Sequence, residues 1–110
     1  MTMKPKKFSL VKISRQLKKS WMPTDVQIID KFVIRIAKFD GEYHWHKHAK
    51  EDELFIVIKG KIKIKTKIGD IVLNENEGIK IPKGLEHCPV ASKPSVVLMF
   101  EPLSLKSKGN

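Results

Sequence analysis

Short stretches of alternating apolar and polar residues dominate the chain. The clearest covers residues 61–68, where isoleucine or threonine alternates with lysine. A period of two residues places one set of side chains on each face of a strand, whereas a helix repeats every 3.6 residues. This stretch therefore predicts a β-strand with an apolar inner face and lysines outside.

Similar short segments recur along the chain, separated by turn signals such as Asp40-Gly41 and Gly69-Asp70. The other predicted strands are residues 8–13, 25–29, 31–39, 43–48, 54–58, 71–73, 78–81, 86–91 and 95–101. Residues 14–20 stay ambiguous, because Ile13 and Leu17 have the spacing of one helical turn. Many short strands without a long amphipathic helix predict an all-β sandwich or small barrel and argue against an α/β fold.

The length of 110 residues corresponds to one domain. We expect the folded domain to cover residues 8–103. A basic segment at residues 1–7 precedes it and a polar tail at residues 104–110 follows it, and both are predicted to be flexible.

The formal net charge is +10, and all 22 basic residues except Arg15 and Arg35 are lysines. A dedicated nucleic-acid module more often combines arginine with interleaved aromatic residues. Lysines on solvated strand faces explain the charge more simply, so no specific nucleic-acid partner is expected.

Cys88 is the only cysteine, so no internal disulfide can form. This favours a reducing compartment, and the basic N-terminal segment is not followed by an apolar run typical of a signal peptide or a membrane span. We therefore expect a cytoplasmic protein that does not bind membranes.

One stretch carries candidate chemistry. His44, His46 and His48 share one parity, so they lie on the same side of a regular strand. Carboxylates follow within a few residues, and His87 lies on a later predicted strand, after the turn at Pro82-Lys83-Gly84. Imidazoles with a carboxylate suit divalent transition metals. The residues therefore outline a metal site, while the strand pattern alone leaves open which histidines and which carboxylate belong to it.

These residues resemble the cupins. Gly41, His46, His48, Glu53 and Gly60 are similar to the first cupin motif, and Pro82, Gly84 and His87 are similar to the second. The resemblance covers residues 31–102 and is strongest to the small single-domain cupins described as phosphomannose-isomerase-like. Asn76 stands where the second motif begins with glycine, and asparagine tolerates the positive φ that this turn requires.

The resemblance implies a double-stranded β-helix, or jelly roll, with one divalent metal held by His46, His48, Glu53 and His87. The ion would be iron, manganese, nickel or zinc. His44 falls outside this set because Glu53 and Gly60 determine the register, and it becomes a residue of the pocket rim. Arg35 is a second pocket candidate, able to hold an anionic group of a substrate, with a surface salt bridge as the alternative. Small cupins commonly form homodimers through edge strands, which this resemblance also implies.

Two reactions fit such a site on a small-molecule substrate: oxidative cleavage by a metal-dependent dioxygenase, and isomerisation of a sugar or polyol. A cupin that binds or senses a ligand without turning it over is the alternative, and a basic nucleic-acid-binding barrel is the weaker one. No residue outside the predicted metal ligands is marked as an acid or base, so whether the chain is an enzyme stays open.

Overall fold

The computed structural model describes residues 3–109 and contains one short helix and seven strands within that range. They are α1 (Leu10–Gln16), β1 (Thr24–Ile29), β2 (Phe32–Glu42), β3 (Glu53–Lys59), β4 (Ile62–Thr66), β5 (Ile71–Leu73), β6 (Gly78–Ile81) and β7 (His87–Pro102). Every strand pairing is antiparallel. The all-β prediction is confirmed. Within residues 3–109 no helix is long and apolar enough to cross a membrane.

The long strand β7 organises the barrel. It pairs with β2 along most of its length, while its first residues pair with β4 and its last residues pair with β3. Two strands, 86–91 and 95–101, were predicted here, and that division is wrong. Residues around Lys93-Pro94 form an irregularity opposite Asp40, and such a bulge accommodates a proline that has no N–H to donate.

The predicted strand at residues 8–13 is also wrong, since α1 begins at Leu10. Ser9 is its N-cap, and its side-chain oxygen accepts a hydrogen bond from the backbone N–H of Lys12 at 3.2 Å. Such a cap satisfies one of the free N–H groups of the first turn and favours helix over strand. The helix buries no residue completely. Its sequence therefore lacks the strong apolar stripe that would have predicted a helix.

The alternation of β4 is confirmed. Ile62 and Ile64 are almost completely buried, whereas Lys61 and Lys63 are exposed. The buried isoleucines pack in the barrel core with Phe39, Phe55, Val57, Val97 and Met99, among others. Asn76 has a φ of 67°, as the glycine-like turn requires. The core therefore lies between the barrel strands, of which β3 begins at Glu53 and β7 begins at His87.

Candidate metal centre

The backbone places His46 directly opposite His87. The N–H of His46 donates to the carbonyl of His87 at 3.0 Å, and the N–H of His87 donates to that of His46 at 2.9 Å. Residues that face each other across two antiparallel segments project to the same side, and the two imidazole centroids lie 4.3 Å apart. The predicted strand at 43–48 is otherwise absent, because only His46 makes a bridge there.

His48 is held by the turn at Pro82-Lys83-Gly84. The N–H of Gly84 donates to the carbonyl of His48 at 2.9 Å, and the N–H of Lys83 donates to the Asp52 carboxylate at 2.9 Å. Gly84 has a φ of 82°, which glycine adopts without strain. The turn thus ties the segment before β3 to the segment that leads into His87.

Glu53 begins β3 and points into the barrel with only 3 % of its surface exposed. Its Oε1 lies 3.4 Å from Nε2 of His48 and 3.9 Å from Nε2 of His87. The ligand atoms of His46, His48 and His87 lie within 4.8 Å of one another. The structure therefore brings the three histidines together and places the Glu53 carboxylate beside two of them, His48 and His87.

Among residues 3–109, the buried side-chain atoms without a hydrogen-bond partner include both nitrogens of His48, Nε2 of His87 and Oε1 of Glu53. A buried polar atom normally has a partner, since leaving it unpaired costs about 1–3 kcal/mol. Three imidazole nitrogens and one carboxylate oxygen form a donor set that suits a divalent transition metal. The residues present fit the ion that the sequence predicts.

The protonation of the imidazoles also suits metal binding. Burial lowers the pKa of His46 to about 4 and lowers those of His48 and His87 below their usual range. The three rings are therefore neutral at pH 7, the form in which imidazole binds a metal.

Two carbonyls orient the rings. Nδ1 of His46 donates to the carbonyl of His44 at 2.9 Å, and Nδ1 of His87 donates to that of Leu85 at 2.9 Å. Each bond leaves the Nε2 lone pair facing the site, as is usual for metal-ligating histidines.

A buried carboxyl that sequence reasoning missed supports Glu53. Glu101 on β7 is 1 % exposed, lies beside Glu53 and accepts from Nη1 of Arg35 at 2.7 Å. Burial and the neighbouring Glu53 raise the pKa of Glu101 to about 9, so at pH 7 it carries a proton that it can donate to Glu53. Its only sequence signal was an acidic residue within an apolar strand.

Arg35 uses its guanidinium group in hydrogen bonds around Glu101. It donates to Glu101, to Asp25 at 2.8 Å and to the carbonyl of Leu105 at 3.1 Å. Its side chain is 13 % exposed and does not line the cavity beside His46. The arrangement matches the salt-bridge alternative more closely than a direct contact with a substrate.

Glu101→Leu should weaken metal binding by about 10–100-fold, because a partner that orients a ligand typically contributes that much. Glu101→Gln keeps an N–H that can donate to Glu53 and should retain most of the affinity. Competition with a chromophoric chelator measures both affinities, and circular dichroism of the metal-free variants verifies folding. If the leucine variant and the native chain bind the metal with equal affinity, Glu101 does not orient Glu53 for metal binding.

His44 lies beside the cluster and not within it. Its Nε2 donates to the carbonyl of Lys108 at 3.0 Å, and its ring centroid is 5.1 Å from that of His46. Among the histidines that the structure describes, the group that could hold a metal ion consists of His46, His48 and His87. The sequence analysis placed His44 at the rim of the pocket. His44 does not line the narrow cavity beside His46 and Glu53.

A narrow cavity adjoins His46 and Glu53, and its walls are largely aromatic. The side chains concerned are those of Trp21, Phe39, Tyr43 and Phe55, with Met99 and Ser107 beside them. Trp21 stacks on Tyr43 with centroids 4.6 Å apart, and its Nε1 donates to the carbonyl of Asp40 at 2.9 Å. Nothing in the local sequence around Trp21 indicated that this loop returns to the site.

Cys88 follows His87 and points away from the cavity. It is completely buried, and burial raises the pKa of its thiol. It packs as a small apolar side chain.

Comparison with known proteins identifies relatives of the chain. An uncharacterized protein of Bacillus subtilis (strain 168), YdbB, is 36% identical over 80 residues, which is 72% of this chain and 71% of that protein. A crystal structure of a cupin-2 domain containing protein from Shewanella frigidimarina is 30% identical, with a TM-score of 0.84 over 86% of this chain and 93% of that one.

A more distant similarity is to hydroquinone 1,2-dioxygenase from Sphingomonas sp. TTNP3, solved with 4-hydroxybenzoate bound. It is 18% identical, with a TM-score of 0.72 over 80% of this chain and 69% of that one, and at this identity the likeness concerns the fold alone. Residues 32–101 match the cupin domain family, the span that contains both motifs and all four predicted ligands. The chain therefore belongs to the cupin family.

Proposed function

We propose that the chain binds one divalent transition metal through His46, His48, Glu53 and His87 and acts there on a small, flat, largely apolar molecule. The observation that carries this proposal is the convergence of three neutral imidazoles beside one buried carboxyl group and a cavity with aromatic walls. Among the described residues, Nε2 of His48, Nε2 of His87 and Oε1 of Glu53 have no hydrogen-bond partner. When bound, such an ion supplies Lewis acidity and, if it is redox-active, a binding position for dioxygen.

The cavity supports a phenolic or enolic ligand better than a sugar. A polyol needs several hydrogen-bond partners, because each hydroxyl buried without one costs free energy. Apart from the two ligands, the polar side chains along this cavity include little more than Tyr43 and Ser107. The cavity has a volume of about 30 Å³, room for only one or two water molecules. A planar ring with one or two oxygens would therefore contact Trp21 and Phe39 only after the lining side chains move apart.

We therefore favour oxidative cleavage by an iron or manganese dioxygenase over isomerisation on zinc. The dioxygenase from Sphingomonas acts on a phenolic compound, which agrees with this preference without establishing it. The proposal rests on the ligands and the cavity walls of this chain.

One observation favours the alternative, a cupin that binds its ligand without turnover. Among the described residues lining the cavity, only Tyr43 and Ser107 lie outside the metal ligands and carry a side chain that can exchange a proton. Burial raises the pKa of Tyr43, so it holds its proton at neutral pH. A reaction that requires a general base would therefore need one of the metal ligands or the substrate itself.

Metal analysis of the purified protein followed by measurement of dioxygen uptake tests the proposal. The panel contains catechol, hydroquinone, a 1,3-diketone and an enediol, each with protein loaded with iron, manganese, nickel or zinc. We expect about one ion per chain and uptake only with a redox-active metal, with His48→Ala as the inactive control. Stoichiometric metal and ligand binding without uptake under any loading would favour the binding function, and absence of metal would refute both.

We also propose that the chain forms a homodimer in the cytoplasm by pairing through β1. This strand is at one end of the described sheet order, and Ile28, Ile29 and the neighbouring Phe32 are 53 %, 46 % and 43 % exposed. A long apolar edge strand is rarely left open to solvent. Light scattering should give twice the mass of the chain, and Ile28→Lys should reduce it to one chain.

A further inference from the structure

Residues 103–109, here called the C-terminal strap, fold back along the barrel. The N–H of Leu103 donates to the carbonyl of Lys31 at 2.9 Å, and the side chain of Leu105 is 3 % exposed. Arg35 donates to the carbonyl of Leu105, so the arginine that holds Glu101 also holds the base of the strap. The strap is thus anchored at its beginning by an apolar contact and a charged hydrogen bond.

The far end of the strap lies against the histidine segment. The carbonyl of Lys108 accepts from Nε2 of His44, and the N–H of Gly109 donates to the carbonyl of Lys106 at 2.9 Å. A Cβ on Gly109 would lie 2.8 Å from the carbonyl oxygen of Lys47 and 2.9 Å from Cβ of His46. Gly109 also has a φ of 88°. The backbone of the strap therefore lies so close to His46 that a residue with a Cβ would not fit in place of Gly109.

Between these two anchors, Ser107 lines the inner cavity together with His46 and Glu53. Its hydroxyl can donate and accept hydrogen bonds. Within the wall of that cavity it is the side chain that the C-terminal strap contributes. A ligand oxygen beside the metal site would meet this hydroxyl.

We infer that the C-terminal strap forms the outer wall of the ligand cavity and that Ser107 is a specificity-determining residue, which selects ligands that carry a hydroxyl or carbonyl next to their metal-binding oxygen. This rests on the proposed function for the identity of the site. The position of the strap does not depend on the metal. His44 acts here as the group that fastens the strap, and not as a metal ligand.

The first experiment needs no metal. The metal-free protein is treated with diethyl pyrocarbonate, and mass spectrometry follows the modification rate of each histidine. A chain that ends after Leu105 keeps the buried anchor and loses the rest of the strap. We expect His46 to be modified several-fold faster in it, because the covering backbone is gone, while the fully buried His87 changes little.

Lys106→Ala is the matched control, since its side chain is exposed and its carbonyl still accepts from Gly109. In this variant the modification rate of each histidine should equal that in the native chain. An unchanged rate for His46 in the shortened chain would overturn the position of the strap, whether or not the protein binds metal.

The second experiment uses protein loaded with Co²⁺ and 4-nitrocatechol as a coloured probe. Ser107→Ala should weaken binding of this probe by about 2–10-fold, the usual effect of losing one hydrogen bond. It should leave azide binding unchanged, because azide binds through nitrogen and carries no hydroxyl or carbonyl. The shortened chain should keep one Co²⁺ per chain and bind the probe faster. Unchanged probe affinity in Ser107→Ala, or loss of Co²⁺ from the shortened chain, would overturn the assignment. Absence of Co²⁺ in the native chain would instead refute the proposed function.

Discussion

Replacing His48 by alanine should reduce bound metal from about one ion per chain to background. His48 is 2 % exposed, and both of its ring nitrogens lack a hydrogen-bond partner among residues 3–109. Oε1 of Glu53 lies 3.4 Å from Nε2 of His48, and both ring nitrogens are available to an ion. Loss of His48 leaves only two imidazoles and Glu53. Elemental analysis after gel filtration measures the stoichiometry. His46→Ala and His87→Ala should behave in the same way.

His44→Ala is the matched control. It removes an imidazole from the same segment, with the same parity, but one that hydrogen bonds to the carbonyl of Lys108. It should retain a full equivalent of metal. If His44→Ala loses the ion while His48→Ala keeps it, the register of the site is wrong by two residues, and if all four variants keep it the site lies elsewhere.

Removing the metal should destabilise the protein strongly. Without an ion, Glu53, His48 and His87 remain buried with unpaired atoms, which opposes folding. A ligand present at 100 times its Kd stabilises the folded state by about 2.7 kcal/mol. In a domain of this size each kcal/mol raises the Tm by about 4–8 °C, so a shift of about 10–20 °C is expected.

Differential scanning calorimetry with excess chelator and with excess Zn²⁺ or Mn²⁺ measures this shift. His48→Ala supplies the control, since its Tm should not depend on either addition. A native Tm that is the same with chelator and with metal would show that the folded state gains nothing from the ion, contrary to the proposed site.

Local pattern determined much of the architecture. In β4, alternation of isoleucine and lysine specified the strand and its buried face, because burial on one side requires a period of two. Where a local interaction outweighed the pattern, the prediction was wrong: the Ser9 cap turned residues 10–16 into a helix. The division of β7 was wrong because Lys93-Pro94 has the sequence of a turn. In the structure these residues form a bulge in β7, and the pairing with β2 continues on both sides of it.

The motif residues identified the family, and their order along the chain was sufficient for that, because the cupin spacing joins His46, His48, Glu53 and His87 in one pattern. Residues that complete the site carried no such pattern. Trp21, Glu101 and Ser107 come from a loop, from the end of β7 and from the C-terminal strap, and each is ordinary within its own segment. Their roles arise from contacts between segments that are distant in sequence. Only the closure of the barrel, which buries Glu101 against Glu53 and folds the strap onto His46, makes those contacts.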